Sequence, residues 1–581
     1  MIKKILFALL PFLLLTTVIP AQDLANIKNE KPIHISGSIG ANYTATITND
    51  SNRVPMPGFW NANANVNISI YGISIPLLAV VTNGSIDFKN SFSQFGLSPK
   101  YKNLTIHAGY RQYTYSPSTV SGQTFFGGGF DYRPKKLRLG FFIGRLHKAR
   151  MVDTSLYSQT IPGSYPLNVS SVNGTNYYSQ AGSFSRWGWG AKFGLGKETN
   201  FVDFILFKAH DRENSINDTF SLKKILPERN FVLGLNTVQK IGKHINVSGD
   251  AAVSAYTYNS YADSIPFNDD LPVLNLLQKL FRYNLTTQLQ WAGNVNVGYT
   301  AKNFTLQTQY KHIEPYYKSM GNVSTYSDVE LFSIRPSWSF FKKKLKFTNM
   351  FQTQHDNLNH YKQLTTKRII LNSSISVNPS TKWGFDVSYN NFGMKQEKIN
   401  ALVPDSISVS QKSNTYTFVP RYIFMTSKHT DVVSLVTSIT NVKNEGQKNN
   451  SGDLNNFYAT LNNTLAISKS GWSITSGLNY NTAKTLSHTM NSFGIIAGAS
   501  KSLIKNTLAI TNNNTLLWNS IDSNPNGNTV SLDLTVNYIL LKKHNIGFGY
   551  NYVYSPANGI YNINDYSQSR LMFSYQYIFK Q

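Results

Sequence analysis

From about residue 33 to its end the chain repeats one pattern. Apolar and polar side chains alternate in segments of roughly ten to sixteen residues, the two-residue period of a β-strand with unlike faces. Ser531–Leu540 places Leu532, Leu534, Val536, Tyr538 and Leu540 on one face, and Ser531, Asp533, Thr535 and Asn537 on the other. Asn545–Tyr554, Asn284–Trp291 and Trp383–Asn390 behave alike. The polar faces carry Asn, Thr, Gln, Ser and Gly, and the apolar faces carry large aromatics, often at the ends of a run. A soluble sandwich packs its apolar faces inward. A membrane barrel turns them towards lipid, with aromatics at both interfaces and a polar lumen.

The connections separate these two. Every second one is short and basic: residues 133–136 (RPKK), 196–198 (GKE), 242–244 (GKH), 301–303 (AKN), 342–345 (KKKL), 378–382 (NPSTK), 427–429 (SKH), 468–471 (SKSG), 501–506 (KSLIKN) and 541–544 (LKKH). The intervening ones are mostly longer and rich in Asn, Ser, Asp, Tyr and Pro, as in 151–182, 211–228, 259–282, 393–414 and 555–566. Short turns on one rim and long loops on the other is the layout of an outer-membrane barrel, with the short turns periplasmic. The pattern yields about 24 strands, to within about two, and an even count returns both termini to one side. Residues 74–103 break the pattern. They either add a hairpin, for about 26 strands, or fold into the lumen as a constriction. The last strand sets Leu571, Phe573, Tyr575, Tyr577 and Phe579 on one face. It resembles the C-terminal aromatic strand that bacterial outer-membrane assembly machinery recognises.

The N-terminus fits export. Lys3 and Lys4 precede an apolar run, Ile5–Ile19, that Pro11 interrupts, and Ala21 supplies a small residue for cleavage. The run falls short of the roughly 18 residues a spanning helix wants. The sequence therefore predicts a signal peptide over 1–21, a short segment over 22–32 and a single barrel over 33–581. Charged residues are only 14% of the chain, too few for an ordinary cytosolic enzyme, and 34 Tyr with 35 Phe exclude a disordered one. Without cysteine there are no disulfides, thiolate metal sites, Fe–S clusters or cysteine nucleophiles. The net charge of +26 would suggest nucleic acid, but export removes that partner. Many of the lysines sit in the short turns, where anionic lipid headgroups attract them.

Within residues 91–148, the run SFSQFGLSPKYKNLTIHAGYRQYTYSPSTVSGQTFFGGGFDYRPKKLRLGFFIGRLHK resembles a block in large, uncharacterised outer-membrane proteins of the Bacteroidota. The rest of the chain resembles outer-membrane barrels in general. The resemblance implies a barrel in a Gram-negative outer membrane, and it brings no substrate and no catalytic residues. TonB-dependent receptors, the obvious large-barrel comparison, carry a folded N-terminal plug. Here alternation begins near residue 33, which argues against energised transport.

Motifs for catalysis are absent: there is no GxSxG, HExxH or Walker A. Ser221 to Lys224 fits SxxK only formally, and His355, Asp356 and His360 lack the spacing of a metal site. Gly127-Gly128-Gly129 runs into strand residues, not into the helix a phosphate loop needs, so it reads as a bend or as room beneath a packed lumen element. The expectation is no enzyme, no metal and no cofactor. Function should lie in the lumen. His107, Arg111, Arg138, Lys311, Arg421 and Arg570 stand on polar strand faces, against two inward acids, Asp386 and Asp533. Such an excess of basic side chains favours anions, unless hydrogen bonds within the wall absorb it.

These readings converge on an all-β fold, a transmembrane antiparallel β-barrel of about 24 strands exported to the outer membrane. Its expected partners are outer-membrane lipid and the assembly machinery. The expected function is porin-like, passive transport of small solutes with an anion bias. The alternative is a non-conducting scaffold, or a subunit of a surface assembly. Its long loops, with Tyr157, Tyr165, Tyr177 and Tyr178 in one of them, would bind a surface or periplasmic protein or a glycan. A soluble secreted β-protein would leave the two unequal sets of connections unexplained.

Overall fold

The structure, a computed structural model, describes residues 33–50, 57–70, 73–82, 94–150, 169–172, 175–178, 183–216, 225–265, 281–323, 326–400, 408–445, 452–504, 506–557 and 564–579. The signal peptide, the segment 22–32, the SxxK match, Tyr157 and Tyr165 lie outside the described residues.

The strands are β1 (Ile33–Thr48), β2 (Gly58–Ile70), β3 (Ile73–Thr82), β4 (Gln94–Leu97), β5 (Lys100–Tyr101), β6 (Leu104–Tyr113), β7 (Gln123–Tyr132), β8 (Leu137–His147), β9 (Val169–Val172), β10 (Thr175–Tyr178), β11 (Ser185–Lys197), β12 (Asn200–Arg212), β13 (Arg229–Ile241), β14 (Ile245–Thr257) and β15 (Thr287–Thr300). They continue with β16 (Phe304–Ile313), β17 (Val329–Phe340), β18 (Leu345–His355), β19 (Leu364–Val377), β20 (Trp383–Lys398), β21 (Ser410–Met425), β22 (His429–Glu445), β23 (Leu454–Ile467), β24 (Trp472–Lys484), β25 (Thr489–Leu503), β26 (Leu508–Ile521), β27 (Asn524–Leu540), β28 (His544–Ser555) and β29 (Tyr566–Phe579). All but β9 and β10 form one 27-stranded sheet, and those two form a hairpin of their own that includes Tyr177 and Tyr178.

The sheet is a ring. Each strand pairs antiparallel with its neighbours in sequence, β8 with β11 across the β9–β10 hairpin, and β1 pairs with both β2 and β29. Closure leaves no strand edge to template unwanted pairing. β4 and β5 share the same two neighbours, β3 and β6, and are one strand broken at Ser98-Pro99, which leaves 26 wall strands. Pro99 has no N–H to give the ladder, but its carbonyl still accepts from the Ile106 N–H at 2.9 Å.

The sequence count of about 24 strands falls two short of the wall, and all ten short basic turns join neighbours in the ring. The extra pair, β3 and β4–β5, takes up residues 73–101, almost all of it in the irregular stretch 74–103, whose described parts are hydrogen-bonded into the wall. At the opposite rim the connections differ widely. Residues 148–184 join β8 to β11, whereas only 485–488 join β24 to β25 and only Asp522 and Ser523 join β26 to β27. Both of the latter residues have positive φ, 49° and 67°, as a two-residue hairpin with the strands' own twist requires.

One face of the ring is apolar and exposed. Phe204, Leu289, Leu478 and Ile495 belong to it. Aromatic rows edge it at both rims. Trp338 lies 5.2 Å from Phe304 and 5.6 Å from Phe347, and Trp383 4.6 Å from Tyr422, at the short-turn rim. Phe493 with Trp518 (5.8 Å) stands at the other. This exterior is that of a membrane-spanning barrel. No helix among the described residues is long and apolar enough to cross a membrane, and the strands make the crossing instead.

Candidate functional site

A circular ring of this many strands would be about 50 Å across, far too wide for wall side chains to fill. The interior is filled on one side only. Phe125, Phe142, Ile205, Phe207, Val232 and Ala252 point inward from β7, β8, β12, β13 and β14 and form an apolar core inside the ring. Two connections of the long-loop rim fold down over it: residues 114–122, between β6 and β7, and 314–328, between β16 and β17. Tyr115, Val120, Tyr317 and Met320 of these loops are buried in the same core. Asn236, well inside β13, donates to the Tyr115 carbonyl at 2.9 Å, so the first loop reaches about 20 Å along the strand at about 3.3 Å per residue.

The two loops hold one another. Tyr317 Oη donates to the Ser118 carbonyl (2.6 Å), Ser319 Oγ to that of Thr119 (2.5 Å) and Asn322 Nδ2 to that of Pro117 (2.6 Å). The Ser121 N–H adds a backbone bond to Gly321 (2.9 Å). Burial pushes the Tyr115 and Tyr317 hydroxyls well above the ordinary tyrosine range. Gly129, on the inner face of β7, lies under Tyr113, where a Cβ would come within 2.7 Å of the phenol oxygen. Of the glycine triplet, Gly129 thus makes room for a packed side chain, while Gly127 makes room for the backbone of β8.

Charges on this side are paired. Arg138 Nε and Nη2 donate to the two carboxylate oxygens of Asp203 at 2.7 and 2.9 Å, both groups are buried, and the guanidinium lies 3.9 Å from the Phe201 ring centre. His107 bridges Ser98 Oγ (2.6 Å) and Asp131 (3.2 Å), and Lys192 Nζ is 3.6 Å from the same carboxylate. Nearer the long-loop rim, Arg186 donates to Asp211 (2.7 and 3.0 Å) and Glu228 (2.8 Å), and Tyr256 Oη donates to Glu228 (2.5 Å). Asp250, on the Lys311 side of the core, accepts from the Ser118 N–H at 3.2 Å. Arg111 Nε reaches the Leu97 carbonyl at 3.3 Å. Inward acids are therefore not confined to Asp386 and Asp533, as the sequence suggested: Asp131, Asp203, Asp211 and Asp250 also face in. β12, which carries Asp203 and Asp211, is apolar on both faces because its inner face packs against the inserted loops, so the alternation that would reveal an inward acid is lost there.

The other side of the ring, β17 to β29 with β1 to β3, has no such core among the described residues. Its inner face is amide and hydroxyl. Asn61, Asn63, Asn65 and Asn67 follow one another along β2, and Asn42 on β1 donates to Asn61 at 2.9 Å. Arg421 Nη2 donates to Asn378 at 2.7 Å, and its guanidinium lies across Gly384, where a Cβ would stand 2.7 Å from Nε. Arg570 is exposed on the inner face, in register with Thr46 and Asn551. Asp386 and Asp533 share that face, in register with Val419 and Asn551. The register adds four cations that the sequence reading passed over: Arg335 opposite Gln307, Lys346 opposite Ser339, Arg368 opposite Gln354 and Lys398 opposite Leu364. Alternation counted from Phe332, Phe351, Ile369 and Val387, each exposed on the outer face, would have found them.

No protein-family model matches the chain, and no curated protein matches it. Among solved structures it is similar to the outer membrane protein opdK from Pseudomonas aeruginosa (9% identity, 65% of this chain and 98% of that one, TM-score 0.30). It is also similar to OprD of the same organism (11% identity, 61% and 91%, TM-score 0.30) and to the P pilus usher PapC translocation pore (9% identity, 94% and 100%, TM-score 0.37). Superpositions this loose leave the chain's own geometry to carry the functional reading.

Proposed function

We propose that the protein is a porin-like channel of the outer membrane, in which small solutes pass along the uncovered half of the lumen with a bias towards anions. One observation carries this reading. On the wall that the inserted loops leave bare, Arg335, Lys346, Arg368, Lys398, Arg421 and Arg570 stand against Asp386 and Asp533. In a pore the lining of one sign raises the local concentration of the other. Of the side chains expected to line the lumen, Arg138 is neutralised by Asp203 and contributes little to that field, and His107 is hydrogen-bonded to Asp131. No chemical step is part of this function. The apolar exterior meets lipid, and β29, which closes the ring, is the strand the assembly machinery would read.

The test is single-channel current across a planar bilayer under a salt gradient. The parent should show a steady current with an anion-biased reversal potential. Arg421→Ser with Arg570→Ser should move it towards cations, and Arg138→Ser should not. Silence from a protein that still migrates as a folded barrel would turn the reading to a non-conducting scaffold, whose long loops bind a surface protein or glycan.

A further inference from the structure

The outward face of β12 and β13 changes character near the long-loop rim. Lower down it is lipid-facing, with Phe204 and Leu206 on β12 and Leu233 and Leu235 on β13, all exposed. Higher up, the same faces carry Lys208, His210 and Arg212 at alternate positions of β12, and Arg229 on β13 opposite His210. With Arg282, these side chains line an open cavity of about 760 Å³. Its acids are occupied. Glu213 Oε1 accepts from Arg229 (3.1 Å) and Ser260 (2.9 Å), and Asp211 is held by Arg186. Arg212 lies 4.3 Å over the ring of Trp187, which keeps its guanidinium at the interface instead of in bulk water.

Directly below is a second, apolar cavity of about 230 Å³, lined by Phe231, Leu233, Val253, Ala255, Tyr283 and Leu289. Phe281 lines both cavities and stacks on Phe231 at 6.0 Å. A cluster of cations on a lipid-facing surface is costly unless an anion meets it. Here it stands at headgroup level with an apolar slot beneath, on one continuous strand face. A free anion would use the upper cavity alone. A molecule with phosphate at its head and an acyl chain below would use both.

We propose that this outer-face site binds a phosphate-bearing lipid of the leaflet surrounding the long-loop rim. Its phosphate would lie among Lys208, Arg212 and Arg282, beside the Arg229–Glu213 pair, and an acyl chain would lie in the slot under Phe281. The site faces lipid and not the lumen, so it is independent of whether the barrel conducts.

The test is native mass spectrometry of the full, detergent-purified barrel titrated with diphosphoryl lipid A, with heat-modifiable migration as the check on folding. A one-to-one adduct is expected. Lys208→Ser, Arg212→Ser and Arg282→Ser together should weaken it about a hundredfold, since each interfacial cation contributes appreciably to anionic-lipid binding. Arg282→Ser alone, outside the strands, serves if the triple variant fails to fold, and should weaken it several-fold. Ala255→Trp, which fills the slot, should weaken lipid A while leaving any binding of inorganic phosphate unchanged. Equal binding of the dephosphorylated lipid, or undiminished binding to the folded variants, would overturn the proposal. Displacement of lipid A by millimolar inorganic phosphate would also overturn it, in favour of a free-phosphate site.

Discussion

The two halves of this ring are made of the same kind of strand and solve opposite problems. From β6 to β16 the inner face is packed: aromatics meet inserted loops, and Arg138, Lys192 and Arg186 each have a carboxylate. From β17 round to β3 the inner face meets water and is lined by amides, hydroxyls and basic side chains. The difference teaches what an inward charge means in a barrel. In the first half it is buried and must be neutralised, so it serves stability. In the second it lines the uncovered side of the lumen, where, in the channel proposed above, it would act on a solute.

The sharpest way to break the comparison is to remove one carboxylate from each half. Asp203→Asn leaves the Arg138 guanidinium buried and should cost about 3–5 kcal/mol, whereas Asp533→Asn, in the hydrated half, should cost less than about 1 kcal/mol. Urea titration of the barrel in micelles, followed by tryptophan fluorescence, measures both, and equal losses would mean the halves are not energetically distinct. A smaller effect is expected at the junction of the two loops. Tyr317→Phe removes the hydroxyl that satisfies the buried Ser118 carbonyl, at a cost of about 1–3 kcal/mol. The barrel should survive, but the loops should fluctuate, seen as added current noise with unchanged reversal potential.

The smallest effect is at the rim, where Asp328 of the second inserted loop pairs with Lys362 of the neighbouring connection. Burial would raise the Asp328 carboxyl, but hydrogen bonds from Lys362 and the Leu358 and Asn357 N–H groups outweigh it and hold the carboxyl below its ordinary value. Burial would lower Lys362, and Asp328 and Asp356 hold it up. A depressed carboxyl contributes stability above the ordinary carboxylate range, near pH 4, and loses it as pH falls through the lowered value. A raised lysine contributes below about pH 10 and loses it as pH rises through the raised value. The contact should therefore be constant across neutral pH and weaken below about pH 4. Hydrogen exchange at residues 356–363 should then rise, by the equivalent of less than about 1 kcal/mol, with residues 114–122 unmoved.

Legibility in the sequence followed the same division. In the open half each strand has one wet and one lipid face, so Leu532 to Leu540 or Trp383 to Asn390 declare both strand and orientation. At the centre of the filled half, on β12, both faces are apolar. Phe201-Val202-Asp203-Phe204-Ile205-Leu206-Phe207 has no period to read, and Asp203 cannot be assigned to a face from the chain alone. The pair missing from the count, β3 and β4–β5, was obscured by an apolar run through Leu77–Val81 and by the break at Pro99. The joining of residues 116–121 to 317–322 was beyond reach, since short-range patterns say nothing about two loops some two hundred residues apart meeting inside the ring. The basic turns, by contrast, were legible because each is local in the chain.

The unequal connections of the long-loop rim give the mouth a direction. Over the filled half the connections are long in sequence, and the described residues of one pair into a hairpin of their own. Over the open half, at 485–488 and at the Asp522–Ser523 hairpin, it ends almost at the strand tips. The mouth therefore has a low sill on one side, and that side is the one whose inner wall the inserted loops leave bare. A solute gliding along the membrane surface reaches the lumen over the sill without threading the loops, and a bulky ligand held by the tall side would shade the passage without blocking it.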